Sequence, residues 1–186
     1  MSKEKASYTL SESQLIAGCV RGDARAQRQL YDLYAKRMTA ICIRYCSDYE
    51  IALDLMHDGF VKVFTHIESY SGEGCFEAWL RKVFVNTALE YLRKNDILRH
   101  SDDINDGLCQ VLSSEASPIE QLSANEIMKL INTLPTGFRT VFNLYAIEGY
   151  SHSEIAQMLE INESSSRSQF SRARAILQIK ITELYK

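Results

Sequence analysis

Eight glycines and two prolines are spread through 186 residues. A strand architecture reverses direction about every eight to twelve positions and needs a turn residue each time. Ten such residues are too few, whereas long helices satisfy the constraint. No alternating apolar and polar run competes with the 3.6-residue period, so the fold class read from the chain is all-α. A hydrophobic content of 46% and a charged content of 24% are those of an ordinary globular protein.

The helical pattern breaks once over a long stretch. Residues 101–123, SDDINDGLCQVLSSEASPIEQLS, concentrate Asp, Ser, Gly and one of the prolines. They read as a linker. The chain then divides into a four-helix domain over 10–100, an acidic linker over 101–118 and a second helical domain over 119–186. In the first, Leu15, Ile16, Cys19 and Val20 mark a short helix ending at Gly22, and Asp23 and Asp48 are candidate caps for two longer ones. A fourth runs from about Phe76 to Leu98. In the second, helices are expected over about 120–133, 136–147, 152–159 and 163–184, divided by Pro135, Gly149 and a short turn.

Formal net charge is −3, which by itself disfavours a nucleic-acid partner, but the charges are segregated. Residues 81–100 carry five basic and two acidic groups, 101–126 carry six acidic and no basic ones, and 163–186 carry five basic and two acidic. Nucleic acid responds to local potential, and two locally cationic helical segments meet that requirement. The N-terminus lacks the apolar core of a signal peptide, and no stretch is long and apolar enough to span a bilayer, so the protein is expected to be cytoplasmic with no membrane insertion. The five cysteines form no CxxC pair and read as small buried residues, while the four histidines show no zinc spacing. No nucleophile–base pair, metal cluster or phosphate loop is present. Neither enzymatic activity nor a cofactor is expected.

The sharpest signal is SHSEIAQMLEINESSSRSQFSRARAIL at 151–177. Ser151 with Glu154 three residues on forms a capping box, and Ile155, Ala156 and Leu159 give the short helix a buried face. After a three-residue turn, Asn162 caps a longer helix and Glu163 sits at its positive end. That is the helix-turn-helix plan. At 100° per residue, Ser166, Phe170, Ala173, Leu177, Ile181 and Leu184 share an apolar stripe about 80° wide. Ser164, Ser168, Ser171 and Arg172 lie opposite, with Arg167 and Arg174 at one border. Guanidinium groups pair bidentately with guanine or with phosphate, and short hydroxyls fit close to backbone and base edges. Ser164, Arg167, Ser168, Ser171, Arg172 and Arg174 are therefore the candidate DNA-reading residues.

The stretch LPTGFRTVFNLYAIEGYSHSEIAQMLEINESSSRSQFSRARAIL resembles the second DNA-binding domain of sigma factors of bacterial RNA polymerase, in their small extracytoplasmic-function (ECF) group. The resemblance implies that the last helix reads an upstream promoter element. Glu160 stands where a turn glycine is usual, at a cost of about 1 kcal/mol if φ is positive, and Ser166 replaces a β-branched residue. EIALDLMHDGFVKVFTHI at 50–67 resembles the sigma segment that grips the β′ clamp helices, which implies polymerase contact at Asp54, His57, Asp58 and Phe60, with His57 in place of a usual glutamine. YSGEGCFEAWLRKVFVNTALEYLRK at 70–94 resembles the part that recognises and opens the downstream element. Opening a duplex needs aromatic faces, polar groups for flipped bases and cations for the backbone. Tyr70, Phe76, Arg81, Lys82, Asn86, Arg93 and Lys94 are the candidates, whereas Trp79 and Phe84 read as core. The implied partners are core RNA polymerase, through its β′ clamp helices and β flap, promoter DNA and an anti-sigma factor. Two other readings remain open on the residues alone: a stand-alone helix-turn-helix regulator, which leaves the 50–94 pattern unexplained, and a helical protein-binding adaptor, for which the charge segregation is incidental.

Overall fold

A computed structural model of the chain describes residues 10–46, 48–95, 98 and 124–184. The expected acidic linker over 101–118, and both boundaries it sets, lie outside the described residues. Within them the regular elements are helices: α1 (Glu12–Val20), α2 (Ala24–Cys46), α3 (Tyr49–His66) and α4 (Phe76–Lys94), then α5 (Ala124–Asn132), α6 (Thr136–Phe142), α7 (His152–Leu159) and α8 (Glu163–Leu184).

Local chemistry sets most of the helix starts. The Ser11 side chain accepts from the Gln14 amide, and the Gln14 side chain accepts from the Ser11 amide at 2.9 Å, so that two free donors at the head of α1 are satisfied reciprocally. Asp23 accepts from the Arg25 amide at 2.8 Å and Asp48 from the Ile51 amide at 3.0 Å. Two expected ends differ. α4 stops at Lys94 rather than near residue 98, and the Asn95 side chain caps it by donating to the Tyr91 carbonyl at 2.8 Å. The helix expected over 136–147 is α-helical only to Phe142 and continues as a π-helical turn, Asn143–Ile147. The amide of Glu148 bonds to the Asn143 carbonyl, five residues back. The wider turn lets Asn143 and Glu148 both reach the first half of the chain.

Helices α2, α3 and α4 pack on one another, with α1 against α2. Leu30, Met38, Cys42 and Tyr45 of α2, Ala52 and Val63 of α3, and Leu80, Phe84 and Ala88 of α4 are fully buried. Each large side chain in such a core contributes roughly 1.5–3 kcal/mol. A second cluster joins Ile131, Leu134 and Phe138 to Ala173 and Leu177 of α8. Val141, Leu144, Ile155 and Leu159 belong instead to the core of the first half, so apolar packing continues from one half into the other. Of the described cysteines, Cys19 and Cys42 are buried as expected, and burial pushes the Cys42 thiol up to about 12. Cys75 is exposed, contrary to expectation, because it caps α4 from a glycine-containing turn that faces solvent.

Two backbone positions carry measurable consequences. Gly59 lies in α3 under the ring of Phe84, and a β-carbon there would come within 2.3 Å of that ring. The ring is fully buried and held edge-on by Phe60 at 5.2 Å, so it has nowhere to move. Gly59→Ala is expected to lower stability by about 1–3 kcal/mol by overpacking, despite alanine's better helix propensity; urea unfolding followed by circular dichroism measures it. Glu160 ends α7 with φ at +57°, in the left-handed region that side chains disfavour. Glu160→Gly is expected to raise the unfolding free energy by about 1 kcal/mol, read in the same titration.

Candidate nucleic-acid interface

The helix-turn-helix unit is assembled from the ends inward. Ser151 and Glu154 close their capping box, with Ser151 N donating to Glu154 Oε2 at 2.8 Å. The same hydrogen bonds hold the Glu154 carboxyl below the usual carboxylate range. Ile155 and Leu159 are buried and Ala156 is half-buried. The left-handed residue Glu160 turns the chain, and α8 starts at Glu163. Ser166, Ala173, Leu177 and Ile181 are buried along α8, as the expected stripe requires, and Phe170 is half-buried. Leu184 is 59% exposed at the helix end, while Ala175 is buried although the stripe did not include it.

One contact in this unit is absent from the sequence reading. The Ser166 hydroxyl lies 2.9 Å from His152 Nδ1, so the polar residue in the apolar stripe is paired rather than weakening the contact. His152 stacks on Tyr145 with ring centroids 4.3 Å apart, and Tyr145 meets Phe170 at 4.5 Å. Burial, then the neighbouring Arg167 guanidinium, lowers the His152 imidazole below its ordinary value. No spacing rule would have singled out His152. A histidine at the first turn of a helix, fourteen residues before a serine in a stripe, is an unremarkable pattern.

The remaining α8 candidates face outward. Ser164, Arg167, Ser168, Ser171 and Arg174 are exposed and Arg172 is half-buried. Arg167 pairs with Glu163 one turn earlier, but both side chains are largely exposed, and exposed pairs of this kind exchange readily with other partners. These side chains give α8 a cationic, hydroxyl-rich face on the side away from its buried stripe.

On α4 the candidates divide. Lys82, Asn86, Arg93 and Lys94 are exposed, and the first three recur at four- and seven-residue intervals on one face. A cleft of about 460 Å³ between α3 and α4 is lined by Trp79, Lys82, Asn86, His66 and Lys62. Tyr70 is half-buried on Phe76 and Trp79, and its hydroxyl donates to the Gly74 carbonyl at 2.9 Å, bracing the 70–75 turn. Phe76 requires a correction. It is 1% exposed, enclosed by Tyr34, Tyr70 and Trp79, and offers no face on which a base could stack. Arg81 is half-buried and ion-paired to Glu148 at 3.0 Å, and Arg93 reaches Glu160 at 3.5 Å.

On α3, Asp54, His57 and Asp58 are exposed and project from one side of the helix. Phe60 also needs correcting as a contact residue. At 3% exposure it packs on Tyr31, Phe64 and Phe84 and supports the surface from beneath. Tyr49 and Val61 are 60% and 64% exposed on the same helix, which adds apolar area that the charged positions alone did not reveal.

Two family models match the chain: sigma-70 region 2 over residues 30–97 and sigma-70 region 4 over residues 124–177. Among curated proteins, the ECF RNA polymerase sigma-E factor of Haemophilus influenzae is 28% identical over 94% of this chain and 97% of its own length. That of Escherichia coli strain K12 is 26% identical over 97% of this chain and 99% of its own. Among solved structures, the sigma factor RpoE of Bartonella quintana, determined in complex with the anti-sigma factor NepR, aligns with a TM-score of 0.50 at 22% identity, covering 86% of this chain and 98% of that one. No described helix is long and apolar enough to cross a membrane. The match over 30–97 covers the whole of the 50–94 segment that a stand-alone regulator leaves unexplained. With one sigma model on each half, and sigma-E relatives aligned over nearly their whole length, the chain belongs to the sigma-70 family of RNA polymerase sigma factors, in its ECF group.

Proposed function

We infer that this sigma factor directs core RNA polymerase to promoters by dividing the work among three helical surfaces. The outward face of α8, with Ser164, Arg167, Ser168, Ser171, Arg172 and Arg174, reads the upstream element in the major groove. The face of α4 formed by Lys82, Asn86, Arg93 and Lys94, joined by Arg81, engages the downstream element. The cleft beside Asn86 receives an unstacked base, with Trp79 forming part of its wall. Asp54, His57 and Asp58 on α3 hold the β′ clamp helices, with Tyr49 and Val61 as apolar neighbours. The observation that carries this reading is the cationic, hydroxyl-rich face of α8, packed on a helix that Ser151 caps and that Ile155 and Leu159 bury.

The chemistry asked of the chain is binding alone. Phosphate contacts fix position and base-edge contacts supply sequence preference. An Arg placed bidentately on a guanine discriminates by about 1–3 kcal/mol. RNA synthesis belongs to the polymerase, and the protein acts in the cytoplasm. An anti-sigma factor is the expected restraint, and the β flap the expected seat of the second half.

Transcription from a randomised promoter library, with purified core polymerase and this protein, should enrich one bipartite motif at fixed spacing. Enrichment of a single element, or of none, would overturn the reading. Arg167→Ala and Arg172→Ala should each relax preference within the upstream element by about 1–3 kcal/mol while leaving the downstream element intact. Asn86→Ala should do the converse. Asp54→Ala and Asp58→Ala should weaken capture of core polymerase by about tenfold each, measured by competition with a labelled sigma factor, without changing promoter preference.

A further inference from the structure

The two halves meet across a seam that adds charged and polar contacts to the apolar packing of Val141, Leu144, Ile155 and Leu159. Glu148 is held between Arg44 Nη2 at 2.8 Å and Arg81 Nη2 at 3.0 Å, with only 6% of its side chain exposed. Arg139 Nη2 donates to the Tyr45 carbonyl at 2.8 Å, and Asn143 Nδ2 to the Arg44 carbonyl at 2.8 Å. Farther out, Arg93 and Glu160 approach to 3.5 Å. Two cations of α4 thus have, as counter-ions, carboxylates from the half that carries α8.

The same seam is incompletely satisfied. Arg44 Nε, Tyr45 Oη, Asn132 Oδ1, Arg139 Nε and Asn143 Oδ1 are buried without a hydrogen-bond partner. All five belong to α2's last turn or to the residues of the second half that face it. Polar groups buried in this way disfavour the state that buries them, and parting the halves would return them to water. The opposing terms are the two-sided ion pair on Glu148 and the apolar packing of Val141 and Leu144. Large terms of opposite sign leave a small balance, which is what a two-state element requires.

We propose that this seam is a reversible latch in which Glu148 occupies Arg81 in place of nucleic-acid phosphate, so that the free protein keeps part of its downstream face neutralised until the halves separate. The inference rests on the DNA-binding role given to Arg81 above. Phosphate and carboxylate are chemically equivalent partners for a guanidinium fork, so the two compete for one cation. Binding to the open state alone makes the apparent affinity fall with the fraction of molecules that are open.

Glu148→Gln keeps the shape of the side chain and removes the charge that holds both arginines. In the full chain it should bind a fluorescein-labelled single-stranded oligodeoxynucleotide about tenfold tighter than wild type in fluorescence anisotropy. Its radius of gyration in X-ray solution scattering should rise while its helical circular dichroism stays unchanged. Asp32→Asn changes net charge equally, at an exposed pair on α2 with Arg28, and should alter neither quantity. Wild-type affinity and dimensions in Glu148→Gln, or the same gain in Asp32→Asn, would overturn the latch. If Glu148→Gln loses its helical signal, the wild type decides by cysteine alkylation. Saturating oligonucleotide should speed iodoacetamide labelling of Cys46, which lies beside Arg139 at the seam, and leave the fully buried Cys42 slow; an unchanged Cys46 rate refutes the proposal. Promoter-directed initiation by the wild type is measured alongside. Its absence sinks the assigned function, whereas normal initiation with an unresponsive Glu148→Gln sinks the latch alone.

Discussion

The last turn of an α-helix leaves carbonyl groups that no residue of the helix can satisfy. In α2 these fall at Arg44 and Tyr45, and the donors that meet them come from Asn143 and Arg139, about a hundred residues farther along the chain. The cation at Arg139 also lies at the negative end of the α2 dipole, where a positive charge is favoured. Desolvation lowers the Arg139 guanidinium from its usual range, which sets the size of the opposing cost. One unfinished helix end thus adds a hydrogen-bonded contact between the halves to the apolar packing they share. The π-helical turn at Asn143–Ile147 follows from the same demand, since it directs both Asn143 and Glu148 toward α2 and α4.

The nucleic-acid faces differ in how much of their charge is already engaged. On α8 the ion pair at Arg167 is local and exposed, so its guanidinium is available at little cost. On α4 the position of Arg81 depends on a carboxylate that is almost fully buried. Burial makes that pairing stronger per contact and more expensive to leave half-made, because either partner alone would be an uncompensated charge. Part of the charge on α4 is therefore conditional on how the halves are placed.

Much of this was legible in the residues. Seven of the eight helices lie close to where capping residues, glycine, proline and the 3.6-residue period put them, and α7 and α8 match over their whole length. Those signals are local, and local hydrogen bonds at Ser11, Asp48 and Ser151 produce them. Glu160 was recognisable as a turn residue open to strain because the resemblance to sigma factors puts a glycine in its place, and its φ of +57° bears that out. The exposed α8 face followed from angular position alone. Phe76, read as a DNA contact, and Phe60, read as a polymerase contact, were misread for a common reason: an aromatic ring on an amphipathic helix serves a core and a binding surface equally well, and residue type does not say which side of the helix is covered.

Ser166 with His152, and Glu148 with Arg44 and Arg81, show where sequence reading stops. Each residue looks ordinary in its own segment, and its meaning comes from a partner between 14 and 104 positions away. The sequence by itself determined that the chain is helical, where its recognition helix begins and which side of that helix carries arginine and serine, because short-range hydrogen bonding and periodicity govern those features. Only the tertiary structure decided which cations are free and which are already paired, because pairing depends on charges brought within 3 Å or so by packing across the chain, and no local pattern encodes that distance.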